Sequence, residues 1–294
     1  MILYLFLLAL IPPLLVMAML FFSDRFEKEP LPLIFACMAG GVLVTVPIMG
    51  LAKLLPGFFS LRFASPVMTA FFSSFVHAAF IEETLKFLVV FFIVLKARSF
   101  NEPFDAVVYY VGVGVGFAVI ENLQYIAMGS HEALAYGDQS GVYTPFFQVS
   151  LIMGVMRSLP GHMVFAAISG YFVARYRFGR SAGQARWLWL AWAAALVVHG
   201  TFNFLLHVFP GNAAVAAASW LFLAAGVAVF LNVPLLLESP FNKPRRALSI
   251  KARKAIRQSR AYSRGNWGLF WVLTVFFMGV VIGTHYLNRL IMLG

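Results

Sequence analysis

Long apolar runs separated by short polar connections make up most of the chain. Eight are long enough to cross a bilayer as helices: about 2–22, 32–55, 67–95, 105–128, 148–174, 187–209, 213–236 and 267–288. Pro12-Pro13, Pro47 and Pro160 fall inside spans, which membranes tolerate where neighbouring helices satisfy the freed carbonyls. The third run is the one that breaks its own pattern. Ile81-Glu82-Glu83-Thr84-Leu85-Lys86 sets two carboxylates and an ammonium in its middle. Each charge costs roughly 2.5–3.5 kcal/mol at the centre of a spanning helix, so the group must face protein or a wet cavity. On a helix Glu82 and Lys86 share a stripe at i,i+4, and Glu83 reaches Lys86 at i+3. A self-neutralising packing contact explains one carboxylate. It does not explain the second.

The composition changes the picture only by fixing the class. Of 294 residues, 62% are hydrophobic and 11% charged, with mean hydropathy +0.87, far from the usual quarter charged of a soluble domain. The expected fold is an all-α polytopic membrane helix bundle, a single integral-membrane domain over 1–294 with no separate soluble domain and no obvious internal repeat. Cys37, the single cysteine, rules out an internal disulfide and a cysteine-based zinc site and reads as a small packing residue. Met1 to Phe22 lacks a basic n-region, a short h-region and a clear cleavage site, so it reads as a retained first helix.

The net charge of +11 acquires meaning from its distribution. Lys and Arg alternate between connections. Arg25 and Lys28, Lys96 and Arg98, the four arginines of 175–186 and the nine basic residues of 243–264 all fall on one side. The opposite connections carry only Arg62, with Lys53 at the edge. The positive-inside rule then puts the basic loops in the cytoplasm and both termini outside. The long basic loop, about 238–266, reads as a membrane-surface anchor, with Ser249–Tyr262 as a basic interfacial helix on anionic lipid headgroups. Nothing in its pattern supports a nucleic-acid partner.

Topology allows the polar residues to be placed by depth. Glu82 precedes Lys96 by 14 residues, His162 precedes Arg175 by 13, His199 follows Arg186 by 13 and Glu121 follows Asp105 by 16. At about 1.5 Å per residue, all four lie roughly 20–24 Å from the cytoplasmic charges. Independent structural polar residues need not agree in depth, so the agreement points to one site, within a core of about 67–209. Each member also has a plainer reading. Glu121-Asn122 can pair helices, His162 can satisfy carbonyls freed by Pro160, and His199 with Asn203 at i,i+4 can join helices. Arg157 can pair Glu121 or Glu83. His77 reads as a core histidine, His207 and His285 lie near span ends, and His131 falls in a loop. Gly112-Val-Gly114-Val-Gly116 sits in a span without a strand before it, so it reads as a close helix-packing face and not a nucleotide loop.

Two chemistries suit such a set. Glu82 can take a proton from water, assisted by His162, and pass it to a leaving amine, while His199 and Asn203 hydrogen-bond a tetrahedral oxyanion. Alternatively Glu82 or Glu83, Glu121, His162 and His199 can bind zinc; the His-Glu-x-x-His pattern of soluble zinc proteases is absent. Both routes lead to amide hydrolysis. Midplane carboxylates and histidines also build proton- or ion-coupled transporters, although no inverted repeat or paired broken helices accompany them here. A non-catalytic membrane scaffold is the third class; every motif position here holds a competent residue.

Glu82-Glu83-x-x-Lys86, Phe104-Asp105 through Gly116-Phe117-Ala118-x-x-Glu121-Asn122, His162 and His199-x-x-x-Asn203 resemble, in this order over about 75–205, the PrsW family of bacterial intramembrane proteases. That family is related to CAAX prenyl endopeptidases and Abi-type membrane proteins. In the wider superfamily the first motif is usually Glu-Glu-x-x-x-Arg; here Lys86 comes one residue earlier, as in the PrsW branch. The resemblance implies Glu82 as the water-activating base with Glu83 beside it, His162 assisting, and His199 with Asn203 at the oxyanion. Lys86, Glu121, Asn122 and Arg157 are expected in support. It implies a bacterial inner-membrane enzyme that cuts a single-span membrane protein, such as an anti-sigma factor in a proteolytic cascade. The family is described both as metalloproteases and as glutamate proteases, so zinc remains open.

Overall fold

The computed structural model describes residues 2–23, 28–135, 159–178 and 184–209, with isolated helical positions at 218 and 221. The expected spans 213–236 and 267–288, the basic loop 238–266, the first part of the fifth run, Arg157 and His285 lie outside the described residues, as do the ends of the chain. Among the described residues every regular element is helical.

Helices α1 (Ile2–Ser23) and α2 (Leu31–Leu54) follow the first two apolar runs. A short turn, α3 (Pro56–Phe59), leads into the third run. This run starts at α4 (Pro66–Phe71), where Pro66 occupies the first turn and the Ser65 side chain accepts from the Met68 amide at 3.4 Å, a usual way to satisfy an orphan amide at a helix start. The backbone then widens to π winding over Phe72–Phe80, tightens to α5 (Ile81–Val89) and widens again over Val90–Val94. The two carboxylates and Lys86 thus stand on an α-helical turn bracketed by two π-helical stretches, a winding that clusters at functional sites.

Helix α6 (Asp105–Ala135) is central, with α1 and α2 packed on it and α7 (Leu159–Phe178) alongside. Helix α8 (Arg186–Val208) packs on α7 and on the π-helical stretch of the third run. Among the described residues, three helices combine the length and apolarity needed to cross a membrane: Leu31–Leu54, Asp105–Met128 and Arg186–Val208. The α6 window is 83% buried inside the protein against 39% and 33% for the other two, so α6 is the axis and the others face outward.

Glycines let the axis be approached closely on two sides, as the Gly112–Gly116 pattern led us to expect. A Cβ on Gly116 would collide with the Met38 backbone of α2, with its Cα at 2.9 Å, and one on Gly41 would meet the Phe117 amide at 2.8 Å. On the other side a Cβ on Gly114 would sit 2.9 Å from the His162 carbonyl oxygen and 3.0 Å from the Ala166 Cβ. The small residues that seat α7 on α6 are therefore the ones that set the depth of His162.

At its first turn α6 carries a second polar group. Asp105 Oδ2 accepts from the amides of Asn101 at 2.9 Å and Glu102 at 2.6 Å. The Tyr109 hydroxyl donates to the buried Glu29 carboxylate and lies 3.0 Å from Ser99 Oγ. These contacts tie the segment before α2 and the turn before α6 together.

Candidate active site

The α winding of residues 81–89 preserves the stripe read from the sequence. Lys86 Nζ donates to Glu82 Oε2 at 3.2 Å and to Glu83 Oε1 at 2.9 Å. From α7, His162 presents Nδ1 to the same ammonium at 3.0 Å. An ammonium has three N–H groups, and these three acceptors use them all. The Phe117 ring of α6 adds a cation–π contact, 3.9 Å from Nζ to the ring centroid.

The partners fix the imidazole tautomers. Because His162 Nδ1 accepts from Lys86, its Nε2–H donates to Glu121 Oε2, 2.7 Å away on α6. From α8, His199 Nδ1 lies 2.9 Å from Glu83 Oε1 and donates to it, leaving Nε2 as the acceptor nitrogen. The His199 ring stacks on Phe165 at 4.6 Å and meets the His162 ring edge-on at 5.5 Å. Trp192 Nε1–H donates to Thr84 Oγ1 at 2.9 Å and pins the turn that carries the carboxylates to α8.

The two adjacent glutamates differ. The Glu83 side chain is 1% exposed and its Oε1 serves both Lys86 and His199. Glu82 is 13% exposed and engages Lys86 through Oε2, keeping Oε1 for other work. A small open cavity is lined by Glu121, Tyr125, His162, His199 and Asn203, with Phe165 and Phe202 as apolar walls. Glu82 and Glu83 are not among its lining residues.

Glu82, Glu83, Lys86, Glu121, His162 and His199 therefore converge, and Asn203 joins them on the cavity wall. The depth agreement had suggested one level; the structure shows one cluster. Asn122 does not join it, because its Nδ2 donates to the Ala9 carbonyl of α1 at 3.4 Å, on another side of α6. His77 packs among Phe58, Phe59 and Phe72 with centroids 4.6–5.0 Å away, half-buried beside an exposed Phe58 and outside the hydrophobic core in which it was expected. His207 pairs with Ser74 Oγ at 2.9 Å. Tyr125 was not singled out in the sequence, although it lies one turn beyond Glu121 on the same helix face and that spacing was there to be read.

The fit of a metal can be judged from these donors. Glu82, Glu83, His162 and His199 each offer one ligand atom, all within 4.8 Å of one another, and carboxylate with imidazole suits zinc by type. Glu121, expected in the set, instead holds the far nitrogen of His162, the position of an outer partner that orients a ligand histidine. The space does not fit. Lys86 Nζ contacts three of the four donor residues at 2.9–3.2 Å, so the arranged donors already hold a cation.

A membrane-embedded helix bundle enclosing carboxylates and imidazoles beside an open cavity belongs to the class of proteins that do polar chemistry inside the bilayer. Comparison with known proteins narrows the class. The model of the PrsW family, described as intramembrane metalloproteases, matches residues 29–237. The protein named Protease PrsW from Clostridioides difficile (strain 630) is 32% identical over 205 residues, covering 69% of this chain and 79% of that protein. Those of Geobacillus kaustophilus (strain HTA426) and Bacillus subtilis (strain 168), also named Protease PrsW, are 29% and 24% identical. They cover 66% and 75% of this chain and 76% and 87% of their own. No solved structure matches the chain. The chain belongs to the PrsW family of intramembrane proteases and is an enzyme of the peptidase type.

Proposed function

We propose that the protein hydrolyses a peptide bond of a single-span membrane protein within or beside the bilayer, an anti-sigma factor being the substrate suggested by kinship. The observation that carries the reading is the cluster itself: Glu82, Glu83, His162 and His199 within 4.8 Å, adjoining an open cavity lined by Asn203. In this reading the protein is a multi-pass protein of a bacterial inner membrane, with about eight spans and both termini outside. The remainder of the chain, including the basic loop 238–266, serves lipid contact and substrate choice.

Glu82 is the water-activating base, since it is the glutamate of the pair with partial exposure and an oxygen outside the Lys86 contact. Its neighbour Glu83 orients His199 as a buried carboxylate orients an imidazole in acyl-transfer sites. In that orientation the neutral His199 ring offers a lone pair at Nε2, so it donates to an oxyanion only as the doubly protonated ring. Asn203 supplies the amide donor. His162, with both nitrogens engaged, holds Lys86 and Glu121 in place beside the water, and Glu82 returns the proton it took from that water to the amine nitrogen as the C–N bond breaks.

A second reading rests on the cavity. Glu121 lines it and is 22% exposed, so Glu121 in place of Glu82 can meet the water. Purified protein in liposomes with a panel of tagged single-span membrane proteins, fragments being read by mass spectrometry, separates the two. Glu82→Gln silent and Glu121→Gln slowed supports the first assignment; the reverse supports the second. Full cutting by both variants removes both assignments of the base, and ion flux without cutting by the wild type favours a carrier.

A further inference from the structure

We infer that Lys86 is the resident cation of this site, and that its ammonium and a divalent metal ion are alternative occupants of one position. The inference rests on the peptidase reading for the identity of the site. Its basis is geometric. Three side chains from two helices, Glu82, Glu83 and His162, aim their acceptor atoms at one point, and Nζ stands there at 3.2, 2.9 and 3.0 Å.

The same three residues, with His199, form the group able to hold a metal. Zinc uses oxygen and nitrogen lone pairs at about 2.0–2.2 Å, and here Glu82 Oε2, Glu83 Oε1 and His162 Nδ1 each direct one at the ammonium. The position is also sealed. Lys86 is 1% exposed and the Phe117 ring closes over it at 3.9 Å. The wild-type site thus carries its positive charge covalently, on a tether from α5. An ion needs that side chain withdrawn before it gains its ligands.

The consequence is specific: replacing Lys86 by a neutral residue should open its position to a zinc ion. Wild type, Lys86→Met, Lys86→Gln and Lys86→Arg are purified as full chains in detergent, stripped with chelator and equilibrated with buffered free zinc. Metal is counted by mass spectrometry. Site occupancy is read separately from the visible d–d absorption of cobalt(II), and thermal midpoints are recorded with and without zinc.

The neutral variants are expected to take up about one ion each, at least roughly tenfold more tightly than the wild type, with a tetrahedral cobalt spectrum and a midpoint raised by zinc. Lys86→Arg, which keeps the cation, should behave as the wild type does. Adding Glu83→Gln or His162→Gln to Lys86→Met should remove the ion and locate it. Stoichiometric zinc on the wild type, lost with Glu83→Gln, overturns the inference. So do folded Lys86→Met and Lys86→Gln proteins that bind no more zinc than the wild type. Recovery of the neutral variants only when zinc is present supports it, since the ion then replaces the missing charge. None of these readouts uses turnover, so a failure to cleave any substrate and a failure of cation exclusion are separate results.

Discussion

Among the described side chains of helix α6, two carboxylates, Asp105 and Glu121, are set into the protein 16 residues apart, and their surroundings differ in kind. Asp105 is buried and spends Oδ2 on two backbone amides of the turn before it. Beside it Tyr109 closes on Glu29. Glu121 instead touches an imidazole, which touches an ammonium, which touches two more carboxylates, and it faces an open cavity. Asp105 also hydrogen-bonds the Glu29 carboxylate, but its two backbone amides neither gain nor lose protons at ordinary pH and tie the cluster to the turn before α6. The Glu121 cluster is a chain of groups that exchange protons. Carboxylates set into the protein are common to both; an imidazole and ammonium chain and an open cavity belong to one.

The sharpest break of this comparison is Glu82→Gln, which keeps side-chain size and removes the base. Cleavage in liposomes should fall by roughly 10²–10⁴-fold, while the protein elutes and melts as before. The next largest effect comes from Gly114→Val, which touches no charged group. Its Cβ would press on the His162 carbonyl and on Ala166, moving the imidazole off its two partners. A displacement near 1 Å in a positioned group costs on the order of 10²-fold, so a drop in kcat with little change in KM is expected. An unchanged kcat would mean that α7 yields elsewhere and that the glycine seam does not set the site.

Asp105→Ala tests the other half. It frees two amides, and Asn101 is exposed and can turn to water. The cost of about 1–3 kcal/mol for an unsatisfied buried donor therefore applies at most to the Glu102 amide, so the thermal midpoint should fall modestly. Cleavage per folded molecule should stay at the wild-type level. A loss of specific activity equal to that of Gly114→Val would show that the two ends of α6 are coupled and erase the distinction drawn here.

Much of this was legible in the chain because the physics is local. Helical spans follow from apolar runs, and the observed ends at Leu31, Leu54, Asp105, Arg186 and Val208 fall within a residue of those expected. The Glu82–Lys86 stripe follows from i,i+4 spacing. Convergence of His162, His199 and Glu121 followed from depth, because lipid penalises a charge at any depth where it has no partner. What was not legible depends on winding and rotation. Counting in threes and fours fails across Phe72–Phe80, where the backbone is π-helical. Asn122 adjoins Glu121 in sequence, yet a 100° rotation sends it to α1. The triple engagement of Lys86 needed the approach of α7 to α5, which no spacing within one helix reveals.

The smallest effect expected is also the most diagnostic of how the site is held. Trp192 and Thr84 form one hydrogen bond between α8 and the turn bearing Glu82 and Glu83. Trp192→Phe keeps an aromatic ring and Thr84→Val keeps the branched shape, so each should cost about 0.5–1.5 kcal/mol, measured as a modest fall in the thermal midpoint. If that bond is the link, the double variant should cost no more than either single one, with a coupling energy of about the same size. The His199–Glu83 contact lies on the same two helices. Loosening their register should therefore lower kcat a few-fold in step with stability, an effect that Asp105→Ala should lack. Additive costs in the cycle would mean that the π-helical packing of α8, with Gly200 against the Phe75 ring, holds the register without the bond.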